Sequence, residues 1–319
     1  MKHFFTKLIV VITCFYGILF LMQSLVDFGL QHTYDDMYND WNLIFEGKIK
    51  EPMVFLGSSR AEAHFDPIII ERNTGIPSYN LGMPAASLKY QKVKWKSYLA
   101  HNHPQIVIQN IDLHALLGKG QPSKRFYIPY YHDSTLYQEL HKLDKTVRLE
   151  KWIPMSKYRD NEALVYKGIL GCFGKKYRLK KIKGHHKHHE SWNTDFDIYK
   201  KSLKGKPVDY SDAHFSEGFK ELKELIADCK KRNVTLILVW TPAYYELSAL
   251  QNPTFLNVKA AVTKMAYENN IAFWDFSNGA FNRNKKFFYN SYHMNAEGVS
   301  VFCNQFSDSL NTYLRHPNP

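Results

Sequence analysis

Apolar residues first cluster near the N-terminus, where an uncharged run of about 19 residues extends from Leu8 to Val26. This length suits a single helical crossing of a membrane. Lys2 and Lys7 precede the run, whereas the next charged residues are acidic: Asp27, Asp35, Asp36 and Asp40. Because positive charge tends to stay on the cytoplasmic side, we expect a single-pass protein of the cytoplasmic (inner) membrane, with the chain after about residue 30 outside the cytoplasm.

A cleaved signal peptide is the alternative interpretation of the same run. The run is longer than a usual signal-peptide core, and the stretch from Gln23 to Val26 is a poor match to a small-x-small cleavage site. The favoured prediction is therefore an uncleaved anchor over residues 1–30, followed by a polar, acidic connector over 31–51.

From residue 52 onward, short apolar runs alternate with longer amphipathic segments. The apolar runs predict five buried strands: Met53 to Leu56, Ser78 to Leu81, Gln105 to Gln109, Val234 to Trp240 and Ile271 to Trp274. Between them, helices are predicted from Asp66 to Arg72, Ser87 to His101, Phe215 to Arg232, Leu256 to Asn269 and Ala296 to Leu314. Strands repeatedly followed by helices predict an α/β domain over 52–319, a three-layer αβα sandwich with a parallel five-stranded sheet.

The alternation is interrupted from residue 113 to about 212 by a stretch rich in Lys, His and Tyr. We predict a basic insertion that is partly ordered and faces solvent. A run of positive charge from Lys175 to Lys183 is followed by His185, His186, His188 and His189. Their spacing suits a transition metal, but no Cys or carboxylate stands at matching spacing, so a solvated loop without metal is favoured.

Aromatic residues of the insertion have two interpretations. They either stack on sugar rings of a ligand or pack in a core, and the sequence favours neither: Phe126, Tyr127, Tyr130 and Tyr131.

Composition narrows the choice of partners. The net charge of +12 over 319 residues implies attraction to an anionic partner, either nucleic acid, anionic lipid or acidic glycan. A location outside the cytoplasm makes nucleic acid an improbable partner. No cofactor is predicted. The cysteines form no CxxC or zinc spacing and suit buried thiols better than a disulfide, although one disulfide stays open: Cys14, Cys172, Cys229 and Cys303.

Two segments carry side chains suited to catalysis. Gly57-Ser58-Ser59-Arg60 directly follows the first strand, where a serine hydroxyl can enter the crevice at the carboxyl ends of the strands while its N–H faces an oxyanion. Such a stretch alone is also ordinary turn chemistry. His293 lies in the loop before the last helix, for which Asn295 is the predicted N-cap. Histidine is suited to accept a serine proton at neutral pH and return it to a leaving group.

Together these segments resemble the SGNH/GDSL hydrolase superfamily, over residues 52–112 and 214–315. The resemblance implies the flavodoxin-like fold of that superfamily, with Ser59 as nucleophile and His293 as base. Asn80-Leu81-Gly82-Met83 is similar to the second block, so Gly82 and Ser59 are expected to donate backbone N–H groups to the oxyanion. The chain looks most like membrane-anchored bacterial members, including relatives of DltD and of alginate-acetylation proteins, which act beside membrane-bound O-acyltransferases.

The sequence departs from that family at two positions. Ile111 stands where the third block has its oxyanion-donating Asn, and Asn110 substitutes only if the strand end is bulged. Asn290 stands where the carboxylate of the triad is expected. An amide can orient the imidazole but cannot stabilise an imidazolium as a carboxylate does, unless Asp112 or Asp275 reaches His293. The working hypothesis is therefore a Ser59–His293 dyad with Asn290 beside it.

The sequence supports two functional hypotheses. The first is an extracytoplasmic ester hydrolase or O-acyltransferase that acts on a cell-envelope glycan or a lipid-linked substrate, with a membrane-bound O-acyltransferase as a candidate partner. Arg60 then either holds an anionic group of the substrate or forms a salt bridge that fixes its loop. The second is a non-catalytic accessory or glycan-binding protein that keeps the fold. Metal binding by the histidine run is a weaker third hypothesis.

Overall fold

The structure, a computed structural model, describes residues 1–205, 212–251 and 253–316. Its strands are β1 Met53–Leu56, β2 Ser78–Asn80, β3 Ile106–Asn110, β4 Thr235–Trp240 and β5 Ala272–Asp275. Its α-helices are α1 Lys2–Gln31, α2 Asp36–Phe45, α3 Ser59–His64, α4 Pro67–Thr74, α5 Leu88–Leu99, α6 Leu113–Leu116, α7 Ser134–Leu143, α8 Thr146–Trp152, α9 Glu162–Cys172, α10 Asp195–Ser202, α11 Ser216–Lys231, α12 Tyr245–Leu250, α13 Thr254–Asn269 and α14 Ala296–Arg315. Short 3-10 helices cover Lys124–Phe126, Ile128–Tyr130, Ser156–Tyr158, Asp212–Phe215, Ala280–Arg283 and Lys285–Phe287.

The five strands form one parallel sheet in the order β2-β1-β3-β4-β5, with helices on both sides. Val54 of β1 pairs with Tyr79 of β2 and with Val107 of β3, and the other pairs are parallel as well. The predicted three-layer α/β class with a five-stranded parallel sheet is confirmed. Every strand begins and ends within one residue of its prediction. The bounds were predictable because a strand buried on both faces must be a short apolar run.

Aromatic rings fill the core between the sheet and the helices α3 and α14. Phe55 of β1 stacks on Phe65 at 4.6 Å between ring centroids, and Phe65 meets Phe302 at 5.4 Å and Phe306 at 5.3 Å. All four side chains are fully buried. The helix α14 is thereby fixed against the strand that precedes the predicted nucleophile.

The chain forms two compact units. One comprises Met1–Lys48, Lys96–His101 and Ser123–Leu179, and the other Ile49–Trp95, Asn102–Pro122 and Lys180–Pro319. The sheet belongs entirely to the second unit. In the first unit, most of the predicted insertion packs with the predicted anchor and connector. Residues 206–211 of that insertion lie outside the described residues.

The expectation that the insertion faces solvent is wrong for much of its length. Tyr127, Tyr130 and Tyr131 are buried, which favours core packing over sugar stacking. The ring of Tyr130 lies 5.1 Å from that of Phe45, and its hydroxyl donates to Asn42 at 2.6 Å. The local composition of the insertion predicts solvent exposure. It does not reveal that α2 supplies an aromatic surface against which these tyrosines pack.

α1 is long and apolar enough to cross a membrane, and by the same criteria it also suits a signal sequence. Most of its apolar side chains, such as Phe5 and Ile12, are exposed. No disulfide links cysteines in the part of the chain that the structure describes. Cys229 and Cys303 are buried thiols as predicted, whereas Cys14 and Cys172 are exposed.

The aromatic core generates a stability prediction. Phe306→Ala removes a fully buried ring and leaves a cavity that the rigid sheet cannot fill, so it should lower the free energy of unfolding by about 3–5 kcal/mol. Equilibrium urea unfolding of the detergent-solubilised chain measures this change. Tyr267→Ala is the matched control, because that ring is 86% exposed and its loss should change stability by less than about 0.5 kcal/mol. Equal effects of the two substitutions would contradict this account of the core.

Candidate active site

Ser59 lies at the turn from the first core strand into α3. Gly57 has φ +154, and a Cβ at that position would lie 2.6 Å from the Cβ of Ala61 and 2.7 Å from that of Asn110. Only glycine allows this close turn. Ser58 is the N-cap of α3, and its hydroxyl accepts the N–H of Arg60 at 3.3 Å. Ser59 is thus the first residue of a short helix that the sequence did not predict.

His293 reaches Ser59 from the loop that precedes α14. The hydroxyl oxygen of Ser59 lies 2.8 Å from Nε2 of His293, although the two residues are separated by 234 positions. Asn295 caps the helix as predicted, since its Oδ1 accepts the N–H of Gly298 at 3.1 Å. The predicted serine–histidine pair therefore has the geometry for proton transfer.

The side chain of Asn290 fixes the tautomer of His293. Its Oδ1 accepts the backbone N–H of Tyr292 at 3.0 Å and of His293 at 2.9 Å, so the amide oxygen must face the loop. The same oxygen lies 3.1 Å from Nδ1 of His293. Nδ1 must then carry the proton, which leaves the lone pair of Nε2 free to accept the proton of Ser59.

Neither candidate acid replaces the missing carboxylate. Asp112 accepts the hydroxyl of Ser58 at 2.9 Å and the N–H of Ala115 at 2.8 Å. Asp275 is held by Lys259 at 2.7 Å. In the described chain neither carboxylate hydrogen-bonds to His293. The structure thus supports the dyad with Asn290 as an orienting amide.

The pKa of His293 is lowered to about 3. Burial is the largest cause, because it disfavours the charged imidazolium, and the positive charge of Arg60 acts in the same direction. His188 lowers this pKa further, whereas the carboxylate of Asp112 partly opposes the shift. His293 is therefore neutral at physiological pH, the form that a general base requires.

Two of the three predicted oxyanion donors are already engaged. The N–H of Gly82 donates to Oδ1 of Asn80 at 2.9 Å, and Nδ2 of Asn110 donates to the hydroxyl of Thr241 at 3.0 Å. The sequence could not reveal these partners, because both arise from folding. The N–H of Ser59 has no acceptor among the described residues and remains a candidate donor.

A cavity of about 400 Å³ opens beside the serine and the histidine. Ala85 lines it, has φ +59 in a turn after Pro84, and has a backbone N–H without an acceptor in the described chain. Ala85 is thus a second candidate oxyanion donor, which sequence comparison missed. The other residues that line the cavity are Ser58, Arg60, Pro84, Ala86, Asp112, His114, Gly120 and Tyr292.

Arg60 lines the cavity but is itself buried. Its Nη2 donates to the carbonyl of Thr241 and, at 2.9 Å, to that of Pro242. No carboxylate of the described residues lies at ion-pair distance from it, so the predicted salt bridge is replaced by bonds to the backbone after β4. Burial also lowers the pKa of this guanidinium. Arg60 fixes its loop, and contact with a substrate anion stays a prediction.

A row of aromatic rings packs against the ring of His293. The ring of Tyr289 stacks on that of His293 at 5.4 Å and an angle of 5°, and His188 lies 4.6 Å from Tyr289. His186 continues the row at 4.4 Å from His188. The prediction of a solvated histidine loop is thus wrong in part, since two of its imidazoles extend the row of rings that ends on His293.

The rest of that loop is also tied to the sheet unit. His185 is buried, and its backbone neighbour His186 donates an N–H to the carbonyl of Glu62 at 3.3 Å. The carbonyl of His188 accepts the N–H of Ala296 at 2.6 Å. Among the described residues, no group of three His, Cys, Asp or Glu side chains is arranged to hold a metal ion.

His64, at the end of α3, holds the backbone next to His293. It is fully buried, and its Nε2 accepts the N–H of Met294 at 3.1 Å. Burial, with the charge of Arg60, lowers the pKa of His64 well below its ordinary value. His64 is therefore neutral and acts as an acceptor. It was missed because α3 was not predicted.

Comparison with known proteins adds little to this geometry. No protein-family model and no curated protein matches the chain. A solved structure of a candidate acylhydrolase from Bacteroides fragilis NCTC 9343 is similar, with 13% identity, 86% of this chain and 97% of that chain covered, and a TM-score of 0.45. A GDSL-like lipase from Bacteroides thetaiotaomicron VPI-5482 is also similar, with 10% identity, 86% and 99% coverage, and a TM-score of 0.42. These values are too low to assign roles to residues, so the site rests on its own contacts.

The neutral partner of His293 predicts a change of pH profile. In Asn290→Asp the carboxylate stabilises the imidazolium, so the pKa of His293 should rise and the acid limb of kcat/KM should move to higher pH. Because hydrogen bonds to charged groups are stronger by about 1–1.5 kcal/mol, the plateau rate should rise roughly tenfold.

Hydrolysis of p-nitrophenyl acetate between pH 4 and pH 9 measures both effects of Asn290→Asp. Asn290→Ala is the control, because it removes the acceptor of Nδ1 and should lower the rate without raising the acid limb. If Asn290→Asp leaves the profile unchanged, the amide does not govern the imidazole.

His64 generates a second prediction about the site. His64→Phe removes the acceptor of the Met294 N–H, and displacement of the histidine loop by about 1 Å should lower kcat up to about a hundredfold. His64→Gln keeps an acceptor and should retain most of the activity. Thermal unfolding of both variants separates misplacement from loss of fold. A folded His64→Phe variant with native kcat would show that this contact does not position His293.

Proposed function

We propose that this chain is a serine ester hydrolase or O-acyltransferase in which Ser59 is the nucleophile and His293 the base. The observation that carries the proposal is the 2.8 Å contact between the hydroxyl of Ser59 and Nε2 of His293. The tautomer set by Asn290 makes this contact productive, because Nε2 is then the acceptor. A chance contact would not require the second nitrogen to be oriented as well.

The reaction would proceed in two steps. In the first, Nε2 takes the proton of Ser59 while the serine oxygen forms a bond to the acyl carbon of an ester. The N–H groups of Ser59 and Ala85 are candidates to stabilise the oxyanion of the tetrahedral intermediate. His293 then gives its proton to the departing alkoxide, and the acyl group stays on Ser59.

In the second step, a water molecule or an acceptor hydroxyl attacks the acyl-enzyme. His293 takes the proton of the attacking group and returns it to the oxygen of Ser59 as the acyl bond breaks. Water gives a free acid, whereas an alcohol of a glycan gives a new ester. Both outcomes use the same residues, which is why hydrolase and transferase are proposed together.

The neutral Asn290 implies a slow reaction. An amide holds the imidazole in place but contributes no negative charge when the imidazolium forms. The carboxylate of Asp112 favours that charge only from a distance, since it hydrogen-bonds to Ser58. Slow turnover suits an enzyme that modifies a stationary polymer at the membrane.

The cavity and the charge of the chain suggest the substrate. Pro84, Ala85 and Ala86 supply small apolar walls, which suit a short acyl group such as acetyl. The net charge of +12 favours an anionic cell-envelope glycan or a lipid-linked substrate. We further propose an extracytoplasmic location, anchored by α1, and a membrane-bound O-acyltransferase as a partner.

One observation favours a second candidate function. Gly82 and Asn110 both have their donors engaged, so the oxyanion site lacks two of its three predicted groups. A chain with this defect and without a carboxylate at position 290 suits a non-catalytic accessory protein that binds an acylated glycan. Reactivity of the serine distinguishes the two candidates.

Covalent labelling by a fluorophosphonate tests the proposed function. The full chain in detergent should be labelled at Ser59, located by mass spectrometry of the tryptic peptide, and Ser59→Ala should abolish the label. Ser134→Ala is the matched control, because Ser134 is an exposed serine at the start of α7 and should not affect labelling. A folded native chain that never labels at Ser59 would overturn the enzymatic proposal and support the glycan-binding one.

A further inference from the structure

Within the first unit, the segment from α8 through α9 runs alongside α1. The hydroxyl of Tyr16 donates to the carbonyl of Trp152. Further along α1, Oε1 of Gln23 accepts the N–H of Met155 at 2.7 Å. Lys157 then forms an ion pair with Asp27 at 2.7 Å. The segment therefore follows α1 from the middle of its apolar run to its end.

Helix α9 lies directly against the end of α1. A Cβ on Gly29 would lie 1.7 Å from the carbonyl oxygen of Gly168, and one on Gly171 would lie 2.1 Å from that of Gly29. The two backbones touch because these positions carry no side chain. α9 thus has a fixed place beside α1.

The contacts with α1 place this segment at the level of the membrane. Tyr16 lies inside the apolar run that ends at Val26, and a helix covers that interval in about 15 Å. The hydrocarbon core of a bilayer is about 30 Å thick. If α1 crosses the membrane, the end of α8 lies about 15 Å below the end of the apolar run, at the depth of the hydrocarbon core, whereas α9 lies beside the last part of the run.

The exposed side of α9 and the end of α8 are mainly apolar, whereas Arg148 is exposed earlier in α8. On α9, Tyr166, Ile169 and Phe173 are exposed at helical spacing, and Phe173 is 85% exposed. At the end of α8, Trp152 and Ile153 are exposed in the same way. A water-facing helix would carry charge on this side, so such stripes indicate a helix that lies in a membrane interface.

The single charge inside α9 beyond its first residue is neutralised. Lys167 forms an ion pair with Asp35 at 2.6 Å, which removes an obstacle to burial in lipid. Exposed cations follow directly after the end of α9, at Lys175, Lys176 and Arg178. Aromatic residues followed by exposed cations are typical of a boundary with anionic headgroups.

We propose that helix α9 lies in the interface of the membrane that α1 crosses and that the end of α8 reaches deeper into the lipid. Trp152, Ile153, Ile169 and Phe173 contact lipid, and the cations after α9 contact anionic headgroups. The partner is thus a lipid surface. The first unit then contacts the membrane through α9 and the end of α8 in addition to α1. The proposal is independent of the esterase function and depends on retention of α1.

Site-directed spin labelling of the full chain tests this proposal in vesicles of phosphatidylcholine and phosphatidylglycerol. A Cys14→Ser/Cys172→Ser background removes the exposed thiols, and single cysteines are placed by Trp152→Cys, Ile169→Cys and Phe173→Cys. Power saturation compares collisions with oxygen, which concentrates in lipid, with those of a water-soluble nickel complex. At all three positions the oxygen-to-nickel ratio should be several-fold higher than at the matched control Tyr267→Cys.

Each result of this experiment decides the proposal. A label on native Cys14, in a chain with Cys172→Ser, reports whether α1 is inserted, and a water-exposed Cys14 would overturn the proposal. Labels at 152, 169 and 173 that resemble the Tyr267→Cys control, while Cys14 lies in lipid, would also overturn it. Labels shielded from both reagents would show that a protein, either a partner or a second copy, covers the surface in place of lipid.

Discussion

The proposed catalytic arrangement depends on one amide oxygen. Oδ1 of Asn290 accepts two backbone N–H groups and faces Nδ1 of His293, so a single atom shapes the loop and selects the tautomer. If the tautomer were not fixed, the 2.8 Å contact with Ser59 would not show whether Nε2 of His293 accepts the proton of the serine or donates its own. The two backbone hydrogen bonds determine that the oxygen, and not the nitrogen, of the Asn290 amide faces the ring.

A neutral residue in this position separates two roles that a carboxylate combines. A carboxylate both orients the imidazole and stabilises its positive charge, whereas an amide performs only the first. Burial and the nearby Arg60 already disfavour that charge. The site is therefore well ordered for accepting a proton and poorly suited to holding it, which is the physical reason for the slow turnover that we propose.

Much of the fold was predictable because the sheet is buried on both faces and its strands read as short apolar runs. Ser59, His293 and Asn290 were found because their order along the chain matches a known set of blocks. The engagement of Gly82 and Asn110 was not predictable, since their partners Asn80 and Thr241 meet them only after folding. The support of His293 by Tyr289 and His188 had no sequence pattern either.

The wrong prediction that the insertion faces solvent also has a physical cause. Its many lysines and histidines predict solvation when counted locally, but Tyr130 packs against aromatic residues from α2. Composition reports the average polarity of a segment and not the surface that another segment brings to it. The end of α8 and the outer side of α9 show the converse case, because their apolar side chains are exposed in the structure although such residues favour burial.

The backbone at Lys183, the last residue of the basic run, covers one edge of the sheet. β2 is the outermost strand on its side, and the backbone N–H groups that point away from β1 are both occupied. The N–H of Ser78 donates to the carboxylate of Glu71 at 2.7 Å, and that of Asn80 to the carbonyl of Lys183 at 2.9 Å. An open outer strand is a template for pairing between molecules. Occupation of these donors therefore protects the outer strand against strand-to-strand aggregation between molecules.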